Sequence, residues 1–345
     1  MSNMRQRQVT IELLRVVAMM MVLALHANFI AIGKPSDSTI FSCQGITQTI
    51  AQSLCICAVN TFVMISGWFG IHPSVRGFAN FMWQVCYFVG LSYLAFFIFN
   101  GNPISYKSIL SCIGLYDGGG WFVSAYIGLY ILSPILNSFI KTARSKSIML
   151  FLVAFFIFEF LWGNTLSVGF IIGGYSTFSF IGIYILAGLL RKENYRIKPK
   201  FAVLLYLLTC ILNGVLYIIS VRLGFEAVAS ILLNYINPLV IASAAFLLLA
   251  FVNMSDPKRL WLRSLILWLG ASCFAAYLLH VGTSLSCTIY LDSINLIHSG
   301  HSWYCGLVLV FLFILAVFVF AVLLDQPRKL IWKYVLSPFF IDNRK

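Results

Sequence analysis

Glu12, Arg15 and His26 lie within one apolar stretch, IELLRVVAMMMVLALHANFIAIG, residues 11–33. Ionisable groups in a lipid-soluble segment are costly, so they face a bundle interior or a wet cavity and mark function by default. Arg15 and His26 are eleven residues apart. At ~100° per residue, eleven steps fall about 20° short of three full turns, so the two side chains share one helix face. They are separated by about 16 Å along the axis. Glu12, three residues before Arg15, is placed to pair with it. An imidazole that titrates near neutrality suits proton transfer from a hydroxyl. A guanidinium is a permanent charge with a fork of donors that suits phosphate. Each residue also has a plainer reading. Arg15 can snorkel to the interface with Glu12 as partner, and His26 can hydrogen-bond a neighbouring helix. Their common face is what points to one cavity serving both.

Other residue types able to do chemistry are scattered through the apolar runs. Ser66 and Gly67 form a pair in NTFVMISGWFG, residues 60–70. There Gly allows close helix contact and Ser can bond across helices. Asn60, seven residues before Gly67, lies on nearly the same face and can orient His26 or a substrate hydroxyl. Trp121 either lines the cavity or anchors at the interface. Tyr126 and Tyr130, four apart, share a face. Glu159 in FFIFEFLWG is expected near the outer boundary, protonated, or lining a cavity. His280 is a candidate second site residue. His298 and His301 have HxxH spacing, but without HExxH or a Cys–His cluster no metal is expected.

The elements that position these groups follow from composition. Of 345 residues 61% are hydrophobic and 10% charged, against roughly a quarter charged in a soluble domain. The chain is therefore read as an all-α integral membrane protein. Ten spans of about 20 apolar residues are expected at 9–32, 46–70, 78–100, 121–140, 147–163, 174–190, 201–221, 230–252, 264–286 and 303–324. The stretch between the fifth and sixth is apolar enough for a re-entrant segment. With both termini assigned to the cytoplasm, nineteen of the 23 Lys and Arg fall on the cytoplasmic side and only Lys34, Lys107 and Arg222 on the other. That asymmetry is what the positive-inside rule demands. It also accounts for the net charge of +13 without a nucleic-acid partner. The first run is too long for a signal-peptide core and carries Arg15 and His26, so it is read as a span rather than a cleaved leader. Most of the nine Cys sit in apolar runs as small packing residues. The whole of 1–345 is expected to be a single membrane-embedded domain with no separate soluble part.

An acidic residue, Arg three positions on, and His after ten more in the first span resemble the opening signature of the membrane-bound acyltransferase-3 family. NTFVMISGWFG, WFVSAYIGLYILSPILN (121–137) and AAYLLHV (275–281) are similar to three further family motifs. The resemblance thus runs from the first span to the ninth. It implies an O-acetyltransferase of bacterial surface glycans in the inner membrane. The implied donor is acyl-CoA, most often acetyl-CoA, as a substrate rather than a resident cofactor. The implied acceptor is a polysaccharide or its lipid-linked precursor. His26 would then be base or acyl relay. Arg15, with Glu12, would hold a donor phosphate or stabilise the cavity, and Ser66 and Gly67 would make room for the thioester arm. One departure stands out: many members carry a His before the Trp-Phe pair, whereas GGG precedes Trp121 here. The competing class is a transporter or flippase of lipid-linked glycan, which discontinuous helices or paired repeats would favour.

Overall fold

The computed structural model describes residues 8–100, 105–116, 118–165 and 170–340. Arg5, Arg7, Arg344 and Lys345, four of the charges used to orient the chain, lie outside them. Among the described residues there are helices and no strands, and eight helical stretches are long and apolar enough to cross a membrane. The protein is an all-α membrane protein. Its hydrocarbon-facing side chains are exposed in the isolated chain, as with Phe99, Leu150 and Phe311.

The elements follow the expected spans, with breaks that the apolar runs concealed. Helix α1 (Val9–Leu25) continues into a π-helical turn, His26–Ile32. It ends at Gly33, whose φ of 101° suits glycine. The second expected span is two helices, α2 (Cys43–Cys55) and α3 (Ala58–Phe69). Next come α4 (Val75–Asn100), a short α5 (Tyr106–Cys112), α6 (Gly120–Thr142) and α7 (Ser145–Thr165). Helices α8 (Thr177–Lys192) and α9 (Pro199–Arg222) follow. The eighth expected span is α10 (Glu226–Leu232) and α11 (Pro238–Val252), parted where Asn237 caps Leu239 N at 2.9 Å and Pro238 opens the new helix. The ninth is α12 (Leu260–Gly270) and α13 (Cys273–Val281). The expected last loop is largely helical, as α14 (Ser284–Ser299), started by a Thr283–Ser286 capping box. Helix α15 (Trp303–Ile331) runs through Pro327, seven residues beyond the expected end. At ~1.5 Å per residue, α8 and α11 are about 24 and 22 Å long, short of the ~30 Å hydrocarbon core. These two are the expected spans missing from the eight.

The described residues group into two compact units, each made of two chain segments. The first holds residues up to Ile71 and Ile135–Ala271; the second holds His72–Pro134 and Ser272 onward. In the first, α9 packs on α11 and α2, α3 on α8, and α1 on α12. In the second, α13 packs on α15, α14 and α4. Small residues set the closest approaches, as expected where lipid tails supply no hydrophobic drive between helices.

Candidate active site

In the first unit α1 carries Glu12 and Arg15, and His26 opens the π-turn that continues it, itself at helical φ −68° and ψ −36°. The helix is therefore unbroken between Arg15 and His26, and their shared face holds by helix geometry. Arg15 Nη1 donates to Glu12 Oε1 at 2.5 Å, with the Glu12 side chain 3% exposed and that of Arg15 35% exposed. Glu12 Oε2 is buried without a hydrogen-bond partner. The carboxylate is buried because α12 closes over it at Gly270. A Cβ there would lie 2.6 Å from Glu12 Oε2 and 2.7 Å from Glu12 Cβ. Gly270→Ala is expected to push α12 away from Glu12, at about 1–3 kcal/mol for overpacking. The thermal midpoint in detergent should fall accordingly.

His26 Nδ1 lies 2.9 Å from the Val22 carbonyl oxygen. A carbonyl only accepts, so this bond puts a proton on Nδ1, and in the neutral imidazole the basic nitrogen is then Nε2. From His26 onward the backbone widens into the π-turn, a departure that recurs at functional sites. Asn28 fixes that turn by donating to Gln48 O at 2.8 Å and Gln52 Oε1 at 3.1 Å, both on α2. Phe29 packs on Tyr217 of α9, with centroids 5.7 Å apart. The imidazole thus sits on a segment held from two sides.

The other candidates in this unit sit in helix contacts. A Cβ on Gly67 would lie 2.3 Å from the Tyr184 carbonyl oxygen, so the room left by this glycine is taken by the α8 backbone rather than open for a substrate arm. Ser66 bonds back to Phe62 O at 3.1 Å. Just past them, Tyr184 Oη accepts from Ile71 N at 2.8 Å and donates to Asn137 Oδ1 at 2.7 Å, while Asn137 Nδ2 donates to Ile71 O at 2.7 Å. Arg191 caps the same helix end at Trp68 O, 2.6 Å away. Asn60 is wholly buried and donates to Tyr235 O at 2.8 Å, with Oδ1 unpartnered. Glu159 is 1% exposed, with Oε1 unpartnered.

The second unit holds the remaining candidates. Tyr126 stacks on Phe122 at 5.9 Å, tilts on Phe81 at 5.5 Å, and Trp121 meets Phe122 edge-on. Tyr130 Oη accepts from Ser74 N at 2.8 Å and donates to Ser74 O at 3.0 Å, pinning the start of α4. His280, 2% exposed, repeats the His26 pattern: Nδ1 is 2.6 Å from Ala276 O, and Tyr290 packs on the ring at 5.1 Å. The triple glycine before Trp121 has a local cause. Gly119 and Gly120 have φ of 79° and 62°, and a Cβ on Gly118 would lie 1.6 Å from Ser111 O. Gly119 N donates to Gly282 O at 2.7 Å, and Gly119 O accepts from Tyr277 Oη at 3.2 Å. A histidine at these positions would be strained or would clash.

Sequence reasoning missed the π-turn, the Asn28 anchor and the Gly270 contact. It also missed a charged cluster on α15: Asp325, wholly buried, bonds Arg328 Nε at 2.5 Å and Lys329 Nζ at 3.2 Å. The only signal was an acid directly after the last apolar run, in LLDQPRK.

No curated protein and no solved structure matches this chain. The family model described as an acyltransferase domain does, over residues 8–326. That match spans both units and every candidate residue, and the chain accordingly belongs to the acyltransferase-3 family of membrane acyltransferases.

Proposed function

We propose that this acyltransferase moves an acetyl group from cytoplasmic acetyl-CoA to a hydroxyl of a bacterial surface polysaccharide, or of its lipid-linked precursor, across the inner membrane. The observation that carries the reading is the Nδ1 bond of His26 to Val22 O, which in the neutral ring makes Nε2 the basic nitrogen. In direct transfer Nε2 takes the proton of the acceptor hydroxyl as its oxygen attacks the thioester carbonyl. The C–S bond breaks, and the coenzyme thiolate leaves and recovers the proton from the imidazolium. In the relay route Nε2 itself attacks the thioester carbonyl, the C–S bond breaks and the coenzyme thiolate leaves, giving an acetyl-imidazolium; the acceptor hydroxyl then attacks that acetyl carbon, its proton passes to the thiolate or to water, and the C–N bond breaks to return neutral His26. Both routes need the same tautomer. Arg15 has a partly exposed guanidinium oriented by buried Glu12, as a donor phosphate requires.

Breaks such as that between α2 and α3 are the feature a transporter would share; the family match weighs on the other side. The test is mass spectrometry of surface polysaccharide from cells with and without the chain. An ester-linked acetyl group, removed by mild alkali, should appear only with the active chain. Unmodified polysaccharide whose surface amount depends on the chain would instead favour transport of a lipid-linked glycan.

A further inference from the structure

The sequence of α2, CQGITQTIAQSLC, repeats glutamine at four-residue steps. Gln44, Gln48 and Gln52 therefore line one helix face. That face would ordinarily be apolar, because α2 belongs to the Cys43–Phe69 stretch that is long and apolar enough to cross a membrane. The amide stripe is turned toward α1. Gln52 Oε1 and the Gln48 carbonyl oxygen both accept from Asn28 Nδ2, at 3.1 and 2.8 Å. Gln48 lies one turn outward from Gln52 and Gln44 one turn beyond it, on the side that the charge asymmetry of the sequence assigns to the outside. Gln44 is half-buried at this mouth, while Gln48 and Gln52 are 6% and 7% exposed.

The fold uses little of this amide capacity. Asn28 spends both Nδ2 hydrogens on α2, and Gln52 Oε1 takes one of them. Among the described residues no group bonds Asn28 Oδ1, Gln52 Nε2, or either end of the Gln48 and Gln44 amides. None of these atoms is sealed from solvent either, so they open on a narrow wet slot between α1 and α2. The adjoining stripe of α2 is different. Thr49 bonds back to Gly45 O at 2.8 Å, and Ser53 closes against α9, where a Cβ on Gly214 would lie 3.1 Å from Ser53 Oγ. Holding the π-turn needs Asn28 and Gln52 alone. A leucine at position 48 would fill the same space without bringing an unpaired amide out of water. The slot is also uncharged. Neither α2 nor the π-turn carries Lys, Arg, Asp or Glu. The segment joining them has only Lys34 and Asp37, and Asp37 pairs with Arg222 at 2.7 Å.

We infer that Gln44, Gln48 and Gln52, with Asn28, form a binding track for a neutral, polyhydroxylated segment of the acceptor. A primary amide both donates and accepts, as a hydroxyl does. A row of amides about 6 Å apart, from four residues at ~1.5 Å each, meets successive hydroxyls without selecting a charge. The track starts at the outer end of α2 and stops at the π-turn, two residues past His26. Two residues carry Asn28 about half a turn round from His26. The track therefore grips hydroxyls other than the one that reacts. Its residues select and hold acceptor and take no part in the proton or acyl transfer. The inference rests on the polysaccharide acceptor proposed above and names the residues that hold it.

The test uses full-length protein in nanodiscs. The probe is a set of short oligosaccharides cut from surface polysaccharide of cells lacking the chain. Binding is titrated calorimetrically without donor, so the result does not depend on acetyl transfer. Gln48→Leu is expected to bind the oligosaccharides about tenfold more weakly, as loss of a paired hydrogen bond implies, and to melt no lower than wild type. Gln48→Asn, which keeps an amide, should recover part of the affinity. Gln44→Leu repeats the test at the half-buried mouth, should Gln48→Leu not fold. Where transfer is measured, the acceptor KM should rise about tenfold in the weakened variants with kcat unchanged. Weakened binding in a chain that never transfers acetyl would sink the acyl-transfer reading and leave the glycan track standing. Wild-type affinity in folded Gln44→Leu and Gln48→Leu, or no oligosaccharide binding by the wild type itself, would overturn the inference and leave Asn28 and Gln52 a clamp on the π-turn.

Discussion

His26→Ala is expected to lower acetyl transfer by about a thousandfold while the protein still folds and still binds donor. The magnitude is that of removing a positioned general base, typically 10²–10⁴-fold. The fold should survive because the imidazole is only partly buried, and its bond goes to a carbonyl one turn back on its own helix. Asn28 and Phe29, which anchor the π-turn to α2 and α9, are untouched. Donor binding should be little changed, since Arg15 and Glu12 lie about 16 Å away along the axis. Initial rates with labelled acetyl-CoA, beside equilibrium binding of a non-hydrolysable thioether analogue, separate the two effects. An equal loss of rate and binding would mean that His26 holds donor rather than moving a proton or an acyl group.

The second large effect is on stability. Asp325→Asn removes the counter-charge from Arg328, whose side chain is 5% exposed, and from Lys329. Stripping one partner from a buried ion pair costs about 3–5 kcal/mol, because the remaining charge is left desolvated. The loss should appear as a large drop in thermal midpoint in detergent, with α4 and the start of α13 loosened first, since Asn80, Gln84 and Ser272 share the network. Adding Arg328→Met to Asp325→Asn should recover part of the loss, because no buried guanidinium then lacks a partner. A single variant as stable as wild type would show that water reaches this cluster.

Much of the architecture was legible because lipid solubility writes itself into long apolar runs. The Val9–Ile32 segment has the expected bounds. What hid was anything that interrupts a run without changing its apolarity. Ile56 and Cys57 part α2 from α3, and Ala271 and Ser272 part α12 from α13; neither pair carries a strong breaker. The opposite error occurred at α15, where Asp325 and Pro327 marked a span end although the helix continues. A proline near a helix end forfeits one hydrogen bond, and the ion cluster holds the last turns in place. At the site, the Glu12–Arg15 pair and the common face of Arg15 and His26 followed from spacing alone. The tautomer of His26 did not, because it depends on a side-chain rotamer. The fate of Gly67 was equally hidden: a glycine in a span reads the same whether a substrate or the α8 backbone fills its space.

The central claim is that α1 carries an acyl-CoA-dependent transfer centre at His26. The most direct measurement is a single-turnover incubation of purified wild-type protein and His26→Ala with radiolabelled acetyl-CoA, following thiol release and label on the protein. The account predicts that wild type releases coenzyme A, with or without transient labelling, and that His26→Ala does neither. Thiol release at the wild-type rate from folded His26→Ala would contradict it.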